Sequence, residues 1–131
     1  MSETDWDDFD RGIALFNSGQ FWESHEAWED IWRRHPEKSR IFFQGLIQVA
    51  AGLYQLRRNI YHGVEKHFRN ALWKLRLFQP TFLGINVKHI VNIVEAGHRE
   101  VLRLGRNRLH DYDTKLIPTI YRFGSHHDLT H

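Results

Sequence analysis

The sequence predicts an all-α protein: a single compact, mostly antiparallel bundle of about five helices around a buried central helix. Three observations carry that expectation. Apolar residues recur at helical spacing in successive segments. The breaks between those segments are short, which favours antiparallel neighbours. No segment alternates apolar and polar residues in the manner of a half-buried strand. At 131 residues, with 41% hydrophobic and 14% aromatic residues, the chain has the length of one domain and ample material for a core. The helical domain is expected over residues 1–106, with 107–131 as a C-terminal tail partly packed on it.

The first helix is expected from about Thr4 to Ser18. Thr4 is a candidate N-cap, and the acidic first turn suits the helix dipole. Phe9, Ile13 and Phe16 form its apolar stripe, and Asn17, Ser18 and Gly19 stop it. The second helix spans about Gln20 to His35, with Phe21, Ser24, His25, Trp28, Ile31, Trp32 and His35 on one face. Glu23, Asp30 and Arg34 fall on the other, and Pro36 ends the helix.

The third helix, Ser39 to Arg58, organises the rest. No charge occurs between Arg40 and Arg57, and apolar side chains spread around most of its circumference. A helix of that kind is buried on most sides. One narrow stripe is polar: Arg40, Gln44, Gln48, Ala51 and Gln55 recur at spacings of four and three and share a face. A second line carries Gly45 and Gly52, where another helix can approach closely.

The fourth helix is expected from Tyr61 or Gly63 to Phe78, with Val64, Phe68, Ala71, Leu72, Leu75 and Phe78 facing the core. Trp73 and Leu77 project from its opposite side. They pack under the C-terminal segment or meet a second copy of the chain. Gln79-Pro80-Thr81 breaks the chain, and Leu83 to Asn86 form a short loop. The fifth helix runs from about Val87 to Leu104, with a stripe of Val87, Ile90, Val91, Val94, His98, Val101 and Leu102 and with Gly105 as C-cap. Beyond it periodicity is lost. Leu116, Ile117, Ile120, Tyr121 and Phe123 suggest a tail packing across the body, with a loose end from Gly124.

Several chemistries are excluded at once. The chain has no cysteine, so it has no disulfide, thiol nucleophile or thiolate metal site. Its acidic start is not a signal peptide, and Ile41 to Leu56 is short and glutamine-bearing for a membrane span. The expected location is therefore cytoplasmic, with no membrane partner. A net charge of +2 demands no polyanion. The arginines at 99, 103, 106 and 108 are compatible with nucleic acid, but solvated helix ends, or a contact between the chain's two ends, account for them more simply. No G-x-S-x-G, Walker A or G-x-G-x-x-G string occurs.

The chemistry-bearing string is Phe21 to Trp32. His25 and Glu29, four apart, reach the same side of the helix. Such a pair can share a proton or ligate one divalent metal ion, with further ligands from elsewhere. Glu26 lies about a quarter-turn further round. Glu95 and His98 form an E-x-x-H pair, but a di-iron bundle needs two of these plus two more glutamates. The alternative is a structural network: a buried His25–Glu29 pair bonded to Arg40, Gln44 and Gln48.

The signature Phe16-Asn17-x-Gly19-x-Phe21-x-Glu23-x-His25-Glu26-x-x-Glu29-x-x-Trp32, followed by Arg40-x-Phe42-x-Gln44-Gly45-Leu46-Ile47-Gln48-x-Ala50-Ala51, resembles the helical family catalogued as domain of unknown function 309. Pro80 and Leu83-Gly84-Ile85-Asn86-Val87 extend the likeness, which covers about residues 8 to 104, with Asn86 in place of the usual Asp. The resemblance implies a compact helical domain and supplies no established activity, although some members carry the label of metal-dependent hydrolase. Its recurring polar positions fall on Glu23, His25, Glu26, Glu29, Arg40, Gln44 and Gln48. This chain departs from it at Gln55, where the family commonly has histidine, and at Arg58-Asn59 in place of Gly-Asn.

The function expected from these readings is an interaction or small-ligand-binding module built on that polar cluster. The alternatives are a metal-dependent hydrolase using His25 and Glu29, and a nucleic-acid-associated protein.

Overall fold

The computed structural model describes residues 1–35 and 39–123. Among these it contains five α-helices: α1 (Glu3–Asn17), α2 (Phe21–Arg34), α3 (Ser39–Arg57), α4 (Tyr61–Leu75) and α5 (Val87–Leu104). The expected helix-stopping role of Pro36, and the loose end from Gly124, lie outside the described residues.

Contacts between successive helices pair rising with falling residue numbers, so the bundle is antiparallel. Phe16 meets Phe21 while Asp5 meets Arg34, across α1 and α2. Trp22 meets Tyr54 while Trp32 meets Arg40, across α2 and α3. The α3–α4 pairing rests on the two helical glycines. A methyl group at Gly45 would lie 2.8 Å from Leu75, and one at Gly52 would lie 2.6 Å from the Phe68 ring. These two positions let α4 sit close against α3, and they leave α3 central, with Phe42, Phe43, Leu46, Val49, Ala50 and Leu53 inaccessible or nearly so.

The cap of α1 is Ser2, not Thr4. The Ser2 hydroxyl accepts from the Asp5 N–H, and the Ser2 N–H donates to the Asp5 carboxylate, forming a reciprocal capping box. Asp5 is therefore buried, and it also holds Arg34 and His35 across α2. At the far end of the chain, α5 begins at Val87 with Asn86 as side-chain cap for the His89 N–H. Leu102, expected on the core stripe, is 52% exposed; Gly97 and Leu104 take the inward positions instead.

Between α4 and α5, where a loop is expected from the sequence, lies a small hairpin. β1 (Thr81–Phe82) pairs antiparallel with β2 (Ile85–Asn86), in the register Thr81↔Asn86 and Phe82↔Ile85. Leu83 and Gly84 turn with φ of 49° and 76°, the left-handed pair that a two-residue hairpin needs. Strands of two residues are too short to show alternation.

The C-terminal segment crosses to α1 and this hairpin. The Asn17 side chain donates to the Ile120 carbonyl and accepts from the Ile120 N–H. Arg122 forms a bidentate pair with Asp10, and the Phe123 N–H donates to the Gly84 carbonyl. The chain's two ends thus do meet, through Arg122 and not through the arginines from Arg99 to Arg108. Leu109, Tyr112 and Ile120 are buried, while Tyr121 and Phe123 are exposed. Up to Phe123 this segment bonds to α1 and the hairpin. Trp73 and Leu77, expected either beneath it or at a second copy, are 53% and 64% exposed.

No helix among the described residues is long and apolar enough to cross a membrane.

Candidate functional site: a polar groove between α2, α3 and α4

The polar stripe of α3 is not sealed by neighbours. Arg40, Gln44, Gln48, Ala51 and Gln55 are all half-buried, whereas the residues around them are mostly buried. Arg40 and Gln55 are fifteen helical steps apart, a length of about 22 Å at the usual rise. The stripe forms the floor of a groove. One wall is α2 and the other is α4.

On the α2 wall, His25 Nε2 lies 3.4 Å from Glu29 Oε1. Glu29 is also paired with Arg33 at 3.4 Å. The His25 ring stacks on Trp22 at 4.9 Å, and Trp22 leans on Tyr54 of α3 at 5.1 Å. Further along, the Arg40 guanidinium sits 4.0 Å from the Trp32 ring centre. Glu29, Trp32, Gln44, Ile47 and Gln48 enclose a pocket of about 170 Å³.

The α4 wall supplies two residues that sequence reasoning missed. Lys74 is only 7% exposed, and its Nζ donates to Gln48 Oε1 at 2.8 Å. Burial lowers its ammonium from the ordinary lysine value. His67 packs beside Gly52. Burial lowers its imidazole too, and the positive charges of Lys66, His25 and Lys74 add to that effect. Gly63, His67 and Lys74 stand four and seven apart on α4, so they share a face. That polar stripe, opposite the glycine line of α3, was the available signal.

The structure brings His25, Glu29, Gln44 and Gln48 together around the groove and sets Arg40 at its α2 end. It does not form the network in which Arg40, Gln44 and Gln48 bond to the His25–Glu29 pair. Gln48 turns to Lys74 and Arg40 to Trp32, because each has a nearer cation or aromatic partner. Glu23 and Glu26 are exposed and make no hydrogen bond or ion pair with the described residues. Trp28 points away: it is fully buried, and its indole N–H donates to the Phe9 carbonyl in α1.

The groove has one unusual property. Among the described residues, four buried side-chain polar atoms lack a hydrogen-bond partner: His25 Nδ1, Arg40 Nε, Gln55 Oε1 and His67 Nδ1. Arg40 and Gln55 stand on the polar stripe of α3, and His25 and His67 on the two helices that flank it; none of the four is in the lining of the pocket of about 170 Å³. Buried polar atoms are otherwise satisfied in folded proteins, and each exception costs about 1–3 kcal/mol.

A metal site has less material. Among the described residues no three His, Asp or Glu side chains come together to hold an ion, so the His25–Glu29 pair finds no third ligand of these types. The other pair divides. Glu95 bonds Arg76 and Arg99, whereas His98 bonds Glu65 at 2.9 Å. The arginines near the end of α5 are also engaged. Arg99 pairs with Glu95, Arg103 with Glu100 and Arg108 with Asp111, and Arg106 stacks toward Tyr61.

Residues 9–67 match the model of the family described as Domain of unknown function (DUF309). The resemblance found in the motifs is thereby shown for α2 and α3, most of α1 and the start of α4. The matched stretch ends at His67, short of the likeness drawn over Pro80 to Val87. One relative is the Uncharacterized protein YpuF of Bacillus subtilis (strain 168), 26% identical over 110 residues. The aligned region makes up 83% of this chain and 51% of that protein, so the chain spans about half the length of the curated relative it matches.

Proposed function

We propose that the groove between α2, α3 and α4 is the binding site for a small polar ligand, and that the protein is a ligand-binding module. The observation that carries this reading is that, among the described residues, the four unpartnered buried polar atoms all belong to the polar stripe of α3 or to the two helices flanking it. A purely structural network satisfies its members, since a partly satisfied one destabilises the fold. A ligand entering from the open side supplies the missing partners. The adjoining pocket of about 170 Å³ has the shape of such a site, with Trp32 and Ile47 as apolar wall and Glu29, Gln44 and Gln48 as polar contacts.

The test is a thermal-unfolding screen of the wild type and Gln48→Leu against a panel of small polar metabolites. At least one compound is expected to raise the wild-type midpoint and to leave the variant unmoved. A panel that shifts neither protein, or both equally, contradicts the reading.

The metal-dependent hydrolase remains an alternative in which His25 and Glu29 hold a divalent ion. It needs a ligand set that the described residues lack. Near-stoichiometric metal in purified protein, lost in His25→Ala, is the result that would revive it. A cytoplasmic location belongs to the same proposal and is checked by cell fractionation.

A second copy of the chain is the partner reading for Trp73, near the end of α4, and Leu77, in the 3-10 turn (Arg76–Phe78) that replaces the expected last turn of that helix; both are large, apolar and exposed. Sedimentation of Trp73→Glu tests it. A lighter species than the wild type is expected, and an unchanged profile contradicts it.

A further inference from the structure

The two walls of the groove differ in charge. On the α2 wall the carboxylate of Glu29 stands beside His25. On the α4 wall no carboxylate of the described residues pairs with Lys74 or His67. The Lys74 ammonium is buried with a neutral amide oxygen as its hydrogen-bond partner and the Trp73 ring 5.2 Å away. A buried charge without a counter-ion carries a large desolvation cost. His67 and His25 each bury an unpartnered Nδ1, and His67 packs at Gly52, one helical turn along α3 from the Gln48 that holds Lys74.

We propose that the α4 side of the groove binds the anionic group of a small ligand, a phosphoryl or carboxylate group, held by Lys74 and His67 with His25 facing it. The inference rests on the reading of the groove as a ligand site and gives that ligand its charge. One anion answers three needs together. Its oxygens accept from Lys74, which has donors left after Gln48, and from the His67 and His25 ring N–H groups. It also neutralises an ammonium that no side chain of the described residues neutralises. A neutral ligand satisfies the hydrogen bonds but leaves the charge, and a metal cation is repelled by Lys74.

The test follows the histidine ring signals by NMR in the intact protein during titration with inorganic phosphate, methyl phosphate and acetate. Sodium chloride at matched ionic strength is the control, and the exposed His62 and His89 are internal references. The expected result is a saturable shift of the His67 and His25 signals, with the His67 titration midpoint moving up as the anion binds. A stronger response to the two phosphates assigns a phosphoryl ligand, and a stronger response to acetate a carboxylate one. Lys74→Met and His67→Gln should each weaken binding by about tenfold or more, the loss expected for a charge-assisted hydrogen bond. The half-buried His67 keeps the test open if Lys74→Met does not fold.

Anions that move His67 and His25 no more than chloride does overturn the proposal. If a neutral compound still stabilises the wild type and not Gln48→Leu, the groove reading survives and the anion assignment falls. If nothing binds there, both fall.

Discussion

Gln55 places its amide oxygen in a site where no described group donates to it. Such an atom loses its water on folding and gains nothing in return, so an apolar residue of similar size should be better tolerated. Gln55→Leu is expected to raise stability by about 1 kcal/mol, read as a higher urea midpoint at unchanged slope. A lower midpoint would mean that the oxygen is partnered after all. Asp5 is the opposite case. Burial alone would raise its carboxyl, but the Ser2 N–H, Arg34, His35 and the Ser2 hydroxyl outweigh burial and lower it from 3.8 to about 2. Because the folded value is the depressed one, its contribution is full above pH 3.8 and is lost as pH falls toward about 2. Over that window the wild type should lose on the order of 2 kcal/mol more than Asp5→Asn, measured by denaturation at stepped pH. Parallel pH profiles of the two proteins would contradict this.

Among the elements, α3 was the most legible in sequence. Its charge-free run, its stripe of Arg40, Gln44, Gln48 and Gln55, and its Gly45–Gly52 line each have a fixed meaning on a helix, and the structure uses all of them. The glycine line supports a direct prediction. Gly52→Ala gains helix propensity but sets a methyl group 2.6 Å from the Phe68 ring, so it should destabilise by about 1–3 kcal/mol. Stabilisation would show that α3 and α4 can move apart freely. What stayed illegible in the site was the far wall. Lys74 reads as a solvated lysine until α4 is docked, and His67 stands seven residues from it on the same helix face, a spacing that matches no site motif. The Ser2 cap was missed because Thr4 offered an equally good side chain two residues later. Gln48 and Arg40 were placed on the correct face, but their partners were set by side-chain reach across helices, which spacing along one helix does not encode.

At the scale of the whole molecule, one side chain connects positions far apart in the chain. Asn17 pairs with both backbone groups of Ile120, as a strand neighbour would, and Arg122 grips Asp10 nearby. Asn17→Ala is expected to loosen the segment after Tyr112 before it unfolds the bundle. The readout is faster amide exchange at Ile120 and nearby residues, with α3 unchanged. Equal acceleration throughout would mean that the segment and the bundle open together. The pocket of Glu29, Trp32, Gln44, Ile47 and Gln48 shares no residue with this latch, so loosening the segment should leave ligand binding intact.

The measurement that tests the central claim most directly is a map of amide shifts in the labelled protein with the most stabilising small polar compound. The account expects the changes to fall on His25 to Trp32, Gln44 to Gln55 and Gly63 to Lys74, the three sides of the groove. Changes confined instead to the pocket of Ile85, His89, Ile120 and Phe123, or to the one between Asn17, Arg57 and Pro118, would place the ligand elsewhere and contradict it.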